Sequence, residues 1–244
     1  MKVTVWNENY HEVKKADVMS PLYPDGLHGE IKKILEVEED IEVRIATQDM
    51  ENCGLSEEIL ADTDVLIWWG HIRHNLVPDE IAAMVVRHVQ NGMGFIALHS
   101  AHFSKPFRWL TGAPCSLQRR DGERERGWCC HPSHPIAKGV DPYFDLEVEE
   151  MYGEPFAIPN PDEIIFMGWF AGGEVFRSGC TFRRGYGKIF YFQPGHETNT
   201  AYKNENYKKI LRNAVRWAAP TMRGDAITAP HAKESPESKR TNNV

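Results

Sequence analysis

Short apolar runs alternate with amphipathic stretches over the first hundred residues. KVTVW (2–6), DVLIWWG (64–70) and GFIALHS (94–100) are continuous apolar runs of strand length, the pattern of strands buried on both faces. IEVRIATQ (41–48) alternates apolar and polar positions and predicts another strand. Between them, HGEIKKILEVE (28–38) sets Ile31, Ile34 and Leu35 at helical spacing with charge between them. SEEILADT (56–63) opens on Ser56, a good N-cap. PDEIAAMVVRHVQNG (78–92) carries Pro78 near its start, an apolar stripe, and Gly92 at its end. The order β-α-β-α-β-α-β predicts a parallel sheet with right-handed crossovers.

The second half is less regular. Residues 105–145 hold prolines, glycines and a mixed-charge run, which predicts mostly loops with short elements. YFDLEVEEMY (143–152), DEIIFMGWF (162–170), GEVFRSGCTFRRGYG (173–187) and KIFYFQPG (188–195) predict strands, some antiparallel, with a hairpin near 184–187. A final helix over 202–219 has Ile210, Leu211, Ala214, Val215 and Ala218 as its apolar side. One domain is expected over 1–220. Beyond Pro220 the chain is polar, and 221–244 has the composition of a tail that cannot build a core of its own.

Charge narrows the partners. Lys and Arg number 28 against 35 Asp and Glu, a net charge of -7, which argues against a surface that tracks nucleic-acid phosphates. RRDGERER (119–126) mixes signs and predicts a solvated loop. Apolar runs stay far below the ~18–20 residues that cross a bilayer, and MKVTVWNENY lacks the apolar segment of a secretion signal. The expectation is a cytoplasmic protein with neither membrane nor nucleic acid as partner. Five cysteines, two of them adjacent at 129–130 and none in a CxxC pair, predict reduced thiols. A homo-oligomer is expected on general frequency.

Ligands of open parallel sheets collect at the carboxyl ends of the strands. The polar residues there are Asn7, Glu8 and Asn9; His71 and His74; His99, Ser100 and His102; His196 and Glu197. Five of eleven histidines fall at these ends. Each alone fits a satisfied core or surface residue, but several converging on one edge point to a site. Neutral imidazole is a common zinc ligand, and catalytic zinc takes three protein ligands plus water. HIRH and HSAH each place two histidines at i, i+3, a spacing that shares a helix face. The metal candidates are therefore His71, His99, His102 and His196, with a divalent cation, zinc first, as the expected cofactor. HExxH is absent, so no metalloprotease is indicated. Glu149 and Glu150 fit a carboxylate ligand or general base as well as a solvent-facing strand end. A third possibility makes Ser100 a nucleophile at a strand-to-helix turn, with His196 as base followed by Glu197. ALHSAHF lacks the small flanking residues of the G-x-S-x-G elbow.

The succession DVLIWWGH, VQNGMGFIALHSAHF, DLEVEEMY and GKIFYFQPGHET resembles the ThuA-like proteins, linked to trehalose and other sugar utilisation in bacteria. The resemblance covers about residues 2–218. It implies an α/β fold: a flavodoxin-like three-layer sandwich around a mostly parallel sheet, like the class I glutamine amidotransferases, with some antiparallel strands in the second half. In an amidotransferase the turn after this strand carries a nucleophilic cysteine, and a late segment supplies His and Glu. FQPGHET matches the late segment loosely through Gln193, His196 and Glu197. His99 or Ser100 takes the cysteine's place, and the next cysteine along the chain is Cys115. Glutamine hydrolysis needs a thiolate, so the resemblance implies the fold without glutaminase activity. Members retain a histidine at the elbow, a glutamate before a tyrosine and a late Gly-His, matched here by His99, by Glu150 ahead of Tyr152, and by Gly195-His196. A sugar ligand also suits indoles, which stack on sugar rings; Trp68, Trp69, Trp109, Trp128 and Trp169 are rim candidates, although most fit a core. The expected protein is a carbohydrate-utilisation enzyme, a metal-dependent hydrolase or isomerase. His99, Ser100, Glu150, His196 and Glu197 are its catalytic candidates. The alternative is a non-catalytic sugar-binding or regulatory protein on a degenerate amidotransferase fold.

Overall fold

The computed structural model describes residues 1–19, 21–224 and 231–239. The strands are β1 (Lys2–Asn7), β2 (Glu42–Thr47), β3 (Val65–Trp69), β4 (Gly94–Leu98), β5 (Gln118–Cys129), β6 (Tyr143–Gly153), β7 (Glu163–Phe170), β8 (Val175–Arg184) and β9 (Gly187–Phe192). The helices are α1 (Tyr10–Lys14), α2 (Ala16–Met19), α3 (Gly26–Leu35), α4 (Glu57–Ala61), α5 (Asp79–Gln90), α6 (Lys105–Thr111) and α7 (Glu205–Ala218). All nine strands join one sheet in the order β2-β1-β3-β4-β9-β8-β7-β5-β6. From β2 to β9 neighbours run parallel, and from β9 to β6 they run antiparallel. The expected parallel sheet thus holds for its first half. The change follows from the connections: helical crossovers join β1 to β4, whereas β8 turns into β9 through a two-residue hairpin closed by Arg184 and Gly187.

Two cores lie on the two faces of the parallel half. Val3, Val5, Ile67 and Ile96 pack under α3 and α7 on one face. Trp6, Leu66, Trp68 and Phe95 pack under α4, α5 and α6 on the other. Burial on both faces is why these strands read as unbroken apolar runs. Trp68 and Trp69 are buried core residues, while Trp109, Trp128 and Trp169 are exposed.

Residues 105–145 depart from the expected loops. They form α6 and the 12-residue β5, which contains the whole RRDGERER run. The arginines of the run form ion pairs with acidic residues on β6 and in the turn before β8. Arg124 and Arg126 both reach Asp145 on β6 at 2.9 Å, and Arg120 reaches Glu174 at 3.0 Å. Opposite charges facing one another across strands stabilise a sheet much as apolar pairs do, so a polar stretch is still a strand.

Of the polar tail expected over 221–244, residues 225–230 and 240–244 lie outside the described residues. Its first residues pack on the domain: Arg223 pairs with Asp64 at 2.9 Å. Among the described residues no helix is long and apolar enough to cross a membrane.

α7 lies directly on the start of β4. A Cβ at Gly94 would stand 2.5 Å from the Ala218 carbonyl oxygen. Gly94→Ala is therefore expected to destabilise the fold by about 1–3 kcal/mol, the usual effect of overpacking a tight contact. A lower midpoint in urea denaturation measures it.

Candidate active site

The parallel strands end at one edge, and that edge carries the site. His99 follows β4 immediately, with φ +53°. A left-handed backbone at a residue bearing a Cβ costs on the order of 1–2 kcal/mol, and it aims the imidazole towards β9. His99, not Ser100, is thus the residue at the strained elbow. Its ring is fully buried, stacks on Tyr152 at 5.3 Å, and donates from Nδ1 to the Gln193 carbonyl at 3.0 Å. Its Nε2 lies 3.1 Å from Oε2 of Glu150, on β6. Oε1 of Glu150 accepts from Arg119 at 3.0 Å.

His71 follows β3. Its loop is clamped by Glu8, whose Oε2 accepts from the backbone amides of His71 at 2.9 Å and Arg73 at 2.8 Å. The His71 ring donates from Nδ1 to Oε2 of Glu197 at 2.9 Å. The other Glu197 oxygen lies 3.2 Å from Nε2 of His11, on α1. His196 follows β9; its Nδ1 accepts from the Thr198 amide at 3.2 Å and lies 2.9 Å from the Thr198 hydroxyl.

The three imidazoles form a near-equilateral triangle. Ring centroids are 5.5 Å apart for His71 and His99, 5.2 Å for His71 and His196, and 5.3 Å for His99 and His196. One donor atom each from His71, His99, Glu150 and His196 lies within 4.8 Å of the others. Nε2 of His99 and Oε2 of Glu150 form a buried pair at 3.1 Å, and neither has another hydrogen-bond partner among the described residues. Both atoms lie in one cluster with His71 and His196. A cavity of about 590 Å³ opens over it, with Tyr10, His11, Lys15, Arg119 and Asn199 in its wall.

Burial alone would raise the Glu150 carboxyl, but His99 and Arg119 outweigh it and hold the group well below the usual carboxylate range. Burial would lower His99, but Glu150 outweighs it and the imidazole is raised. Glu197 is held down at about 2 against burial by its bond and charge contact with His71. Burial and the nearby His99 push His196 down to about 4. Beneath the site, burial pushes Glu149 up to about 7, even though its Oε2 accepts from the Gly195 and His196 amides at 3.1 and 3.3 Å. Burial and Glu149 raise Glu125 well above the ordinary value, and among the described residues its oxygens find no hydrogen-bond partner.

Of the residues singled out in the sequence, the fold brings together His71, His99, Glu150 and His196, with Glu197 behind them. It does not bring His102 to them. The left-handed backbone sends His99 one way, while His102 donates from Nδ1 to the Cys115 carbonyl at 2.7 Å and packs against Phe103, Tyr152 and Phe156. Burial pushes its imidazole down to about 3. The Ser100 hydroxyl pairs with the Tyr152 hydroxyl at 2.8 Å, and no hydrogen bond joins it to a histidine among the described residues. None of the five candidate tryptophans lines the cavity; its phenol-bearing wall residue is Tyr10. Sequence reading missed His11 and Arg119. His11 lies two residues past Asn9, in α1, and Arg119 sits in RRDGERER, whose mixed charge predicts a loop.

An open α/β sheet with a histidine at the strand-to-helix elbow and a Gly-His-Glu loop beside it defines an amidotransferase-like shell without the cysteine nucleophile. The chain belongs to the ThuA family: the family model described as trehalose utilisation matches residues 2–218. Solved structures share the fold. A ThuA-like protein from Parabacteroides merdae ATCC 43184 superposes with TM-score 0.66 at 17% identity, over 92% of each chain. A cytoplasmic protein from Salmonella typhimurium LT2 gives 0.61 at 12% identity, over 90% of this chain and 100% of that one. A glutamine amidotransferase from Thermotoga maritima gives 0.55 at 10% identity, over 89% and 97%. The sequence matches no curated protein.

The buried carboxyls set a pH dependence. Glu125 and Glu149 have folded-state values raised above the unfolded ~4.3. The folded state therefore holds more protons than the unfolded one as pH rises through that window, and stability falls. Glu125→Gln removes one such group. Its stability relative to wild type is expected to rise between pH 5 and pH 8, by at most ~1.4 kcal/mol per pH unit. Urea denaturation at the two pH values measures the difference.

Proposed function

We propose that the protein is an enzyme of carbohydrate utilisation, that His71, His99 and Glu150, with His196 beside them, form a divalent-cation site with zinc as the first candidate, and that it has no glutaminase activity. The observation that carries this reading is the cluster of His71, His99, Glu150 and His196 donor atoms within 4.8 Å of one another, in which Nε2 of His99 and Oε2 of Glu150 have no hydrogen-bond partner among the described residues beyond each other. The rings are also held from behind as metal-ligating histidines are, with Nδ1–H given to a carbonyl for His99 and to a carboxylate for His71. Zinc with imidazole and carboxylate ligands suits this donor set. A cation there polarises a carbonyl or activates water.

The family description supports carbohydrate as the substrate class. The cavity wall supplies hydroxyl, amide and charged groups suited to hydroxyl-rich ligands, from Tyr10, Asn199, Lys15 and Arg119. The elbow imidazole of His99 occupies the place a glutaminase thiolate would need, and Cys115 lies by His102, away from the cavity. Hydrolysis and isomerisation both fit. A cytoplasmic location is part of the reading, supported by the Salmonella protein described as cytoplasmic.

Elemental analysis of untagged protein tests the site. Wild type is expected to carry near-stoichiometric zinc or another divalent ion, and His71→Ala and His99→Ala to lose it while keeping the circular-dichroism spectrum of the wild type. Unchanged metal content in His99→Ala would remove His99 from the ligands. Turnover of trehalose and of oxidised disaccharides, followed by product chromatography, is expected to stop on chelation. Tight sugar binding with no turnover under any metal would instead favour a binding protein.

A further inference from the structure

The three histidines are not equivalent, because the groups behind them differ. Behind His99 stands a carbonyl oxygen, that of Gln193, and behind His71 a carboxylate oxygen, that of Glu197. Both can only accept, so each ring carries a proton on Nδ1 and has Nε2 left to give a cation, for His99 by releasing the proton that Glu150 favours there. Behind His196 stands the backbone amide of Thr198, 3.2 Å from Nδ1 and aligned with it. An amide N–H can only donate. Nδ1 of His196 must therefore present its lone pair, which excludes both the Nδ1–H tautomer and the doubly protonated ring. The one remaining ring proton sits on Nε2. The Thr198 hydroxyl, 2.9 Å from the same nitrogen, adapts to this by rotation. Oε2 of Glu197, the other acceptor near Nδ1, is 3.6 Å away and already takes the His71 proton.

A metal ligand needs a lone pair. His71, His99 and Glu150 offer three; His196 offers a proton. Building on the metal-site reading above, we propose that His196 is not a fourth ligand. Instead, its Nε2–H donates a hydrogen bond to a substrate oxygen, carbonyl or hydroxyl, held beside the His71, His99 and Glu150 donors. The cation set is then two imidazoles and one carboxylate, and the third imidazole reads the substrate. For His196 to coordinate through Nε2, its Nδ1 proton would have to point at the Thr198 amide proton. The site would then lose a backbone hydrogen bond as well as a substrate contact. This division also limits the substrate: the atom placed against His196 must be an acceptor, which suits a ketone, an aldehyde or a hydroxyl oxygen and disfavours an ammonium.

Two measurements test it. The first is long-range ¹H–¹⁵N correlation NMR on the metal-free full chain, with the His196 signal assigned by its loss in His196→Gln. The Nε2–H tautomer is expected; an Nδ1–H tautomer overturns the proposal whether or not the protein binds metal. The second is zinc titration of wild type, His71→Gln, His99→Gln and His196→Gln. His196→Gln is expected to keep the wild-type stoichiometry with affinity lowered less than about tenfold, whereas the other two fall by more than the ~10–100-fold that losing an outer partner costs. Zinc lost from His196→Gln as fully as from His99→Gln overturns the proposal. Wild type that takes no zinc overturns the metal reading alone, and the tautomer spectrum then still decides whether His196 is the donor.

Discussion

The parallel pairing of β4 with β9 is the constraint on which the site depends. Its register sets Leu98 opposite Phe192. The next residue on each strand is then His99 and Gln193, and the Gln193 carbonyl is where the His99 ring anchors. Three residues further on, His196 and Glu197 arrive beside His71 at the end of the neighbouring β3. A slip of one residue would turn every side chain of β9 to the other face and remove the anchor. The left-handed backbone at His99 is tolerated because this pairing, the Tyr152 stack and Glu150 hold the ring from three sides.

Comparison with the amidotransferase fold gives that strain a meaning. Functional residues are often held in sparsely populated backbone regions where the surroundings over-determine them. In an amidotransferase the elbow exposes a nucleophile. Here the same turn aims an imidazole at a carboxylate. In the proposed reading the turn holds a cation between side chains instead of presenting a nucleophile.

The sequence revealed the parallel half because its signals are local: apolar runs of strand length, helix stripes, a serine cap. It also placed His71, His99, His196 and Glu197 at the strand ends, since that rule needs only the strand boundaries. It misplaced His102, because i, i+3 spacing implies one face only in a regular helix, and His99 begins its turn with a left-handed residue. It hid β5, because RRDGERER is a strand only by virtue of Asp145 and its neighbours across the ladder, which local composition does not show. Arg119 was lost with it. His11 was missed for a different reason. Its role comes from Glu197, whose two oxygens bind imidazoles of α1 and of the β3 loop, a link between residues 186 apart in number that no spacing rule anticipates.

The sheet order also bears on how the chain is made. β9 is the last strand in sequence, yet it lies at the centre of the sheet, between β4 and β8. During synthesis β1 to β4 can pair as soon as they emerge, and β4 then stands as an open edge. It is short, wholly apolar and buried in the finished fold. That edge has no native neighbour until nearly ninety further residues have left the ribosome (the distance from β4 to β9). An unpaired apolar edge is a template for wrong partners, and emerging domains are exposed to this hazard for as long as the missing strand is delayed. The strand that completes the site is thus also the one that ends the nascent chain's exposure. A ribosome that stalls before residue 187 would release a product whose open edge is the very strand that carries the elbow.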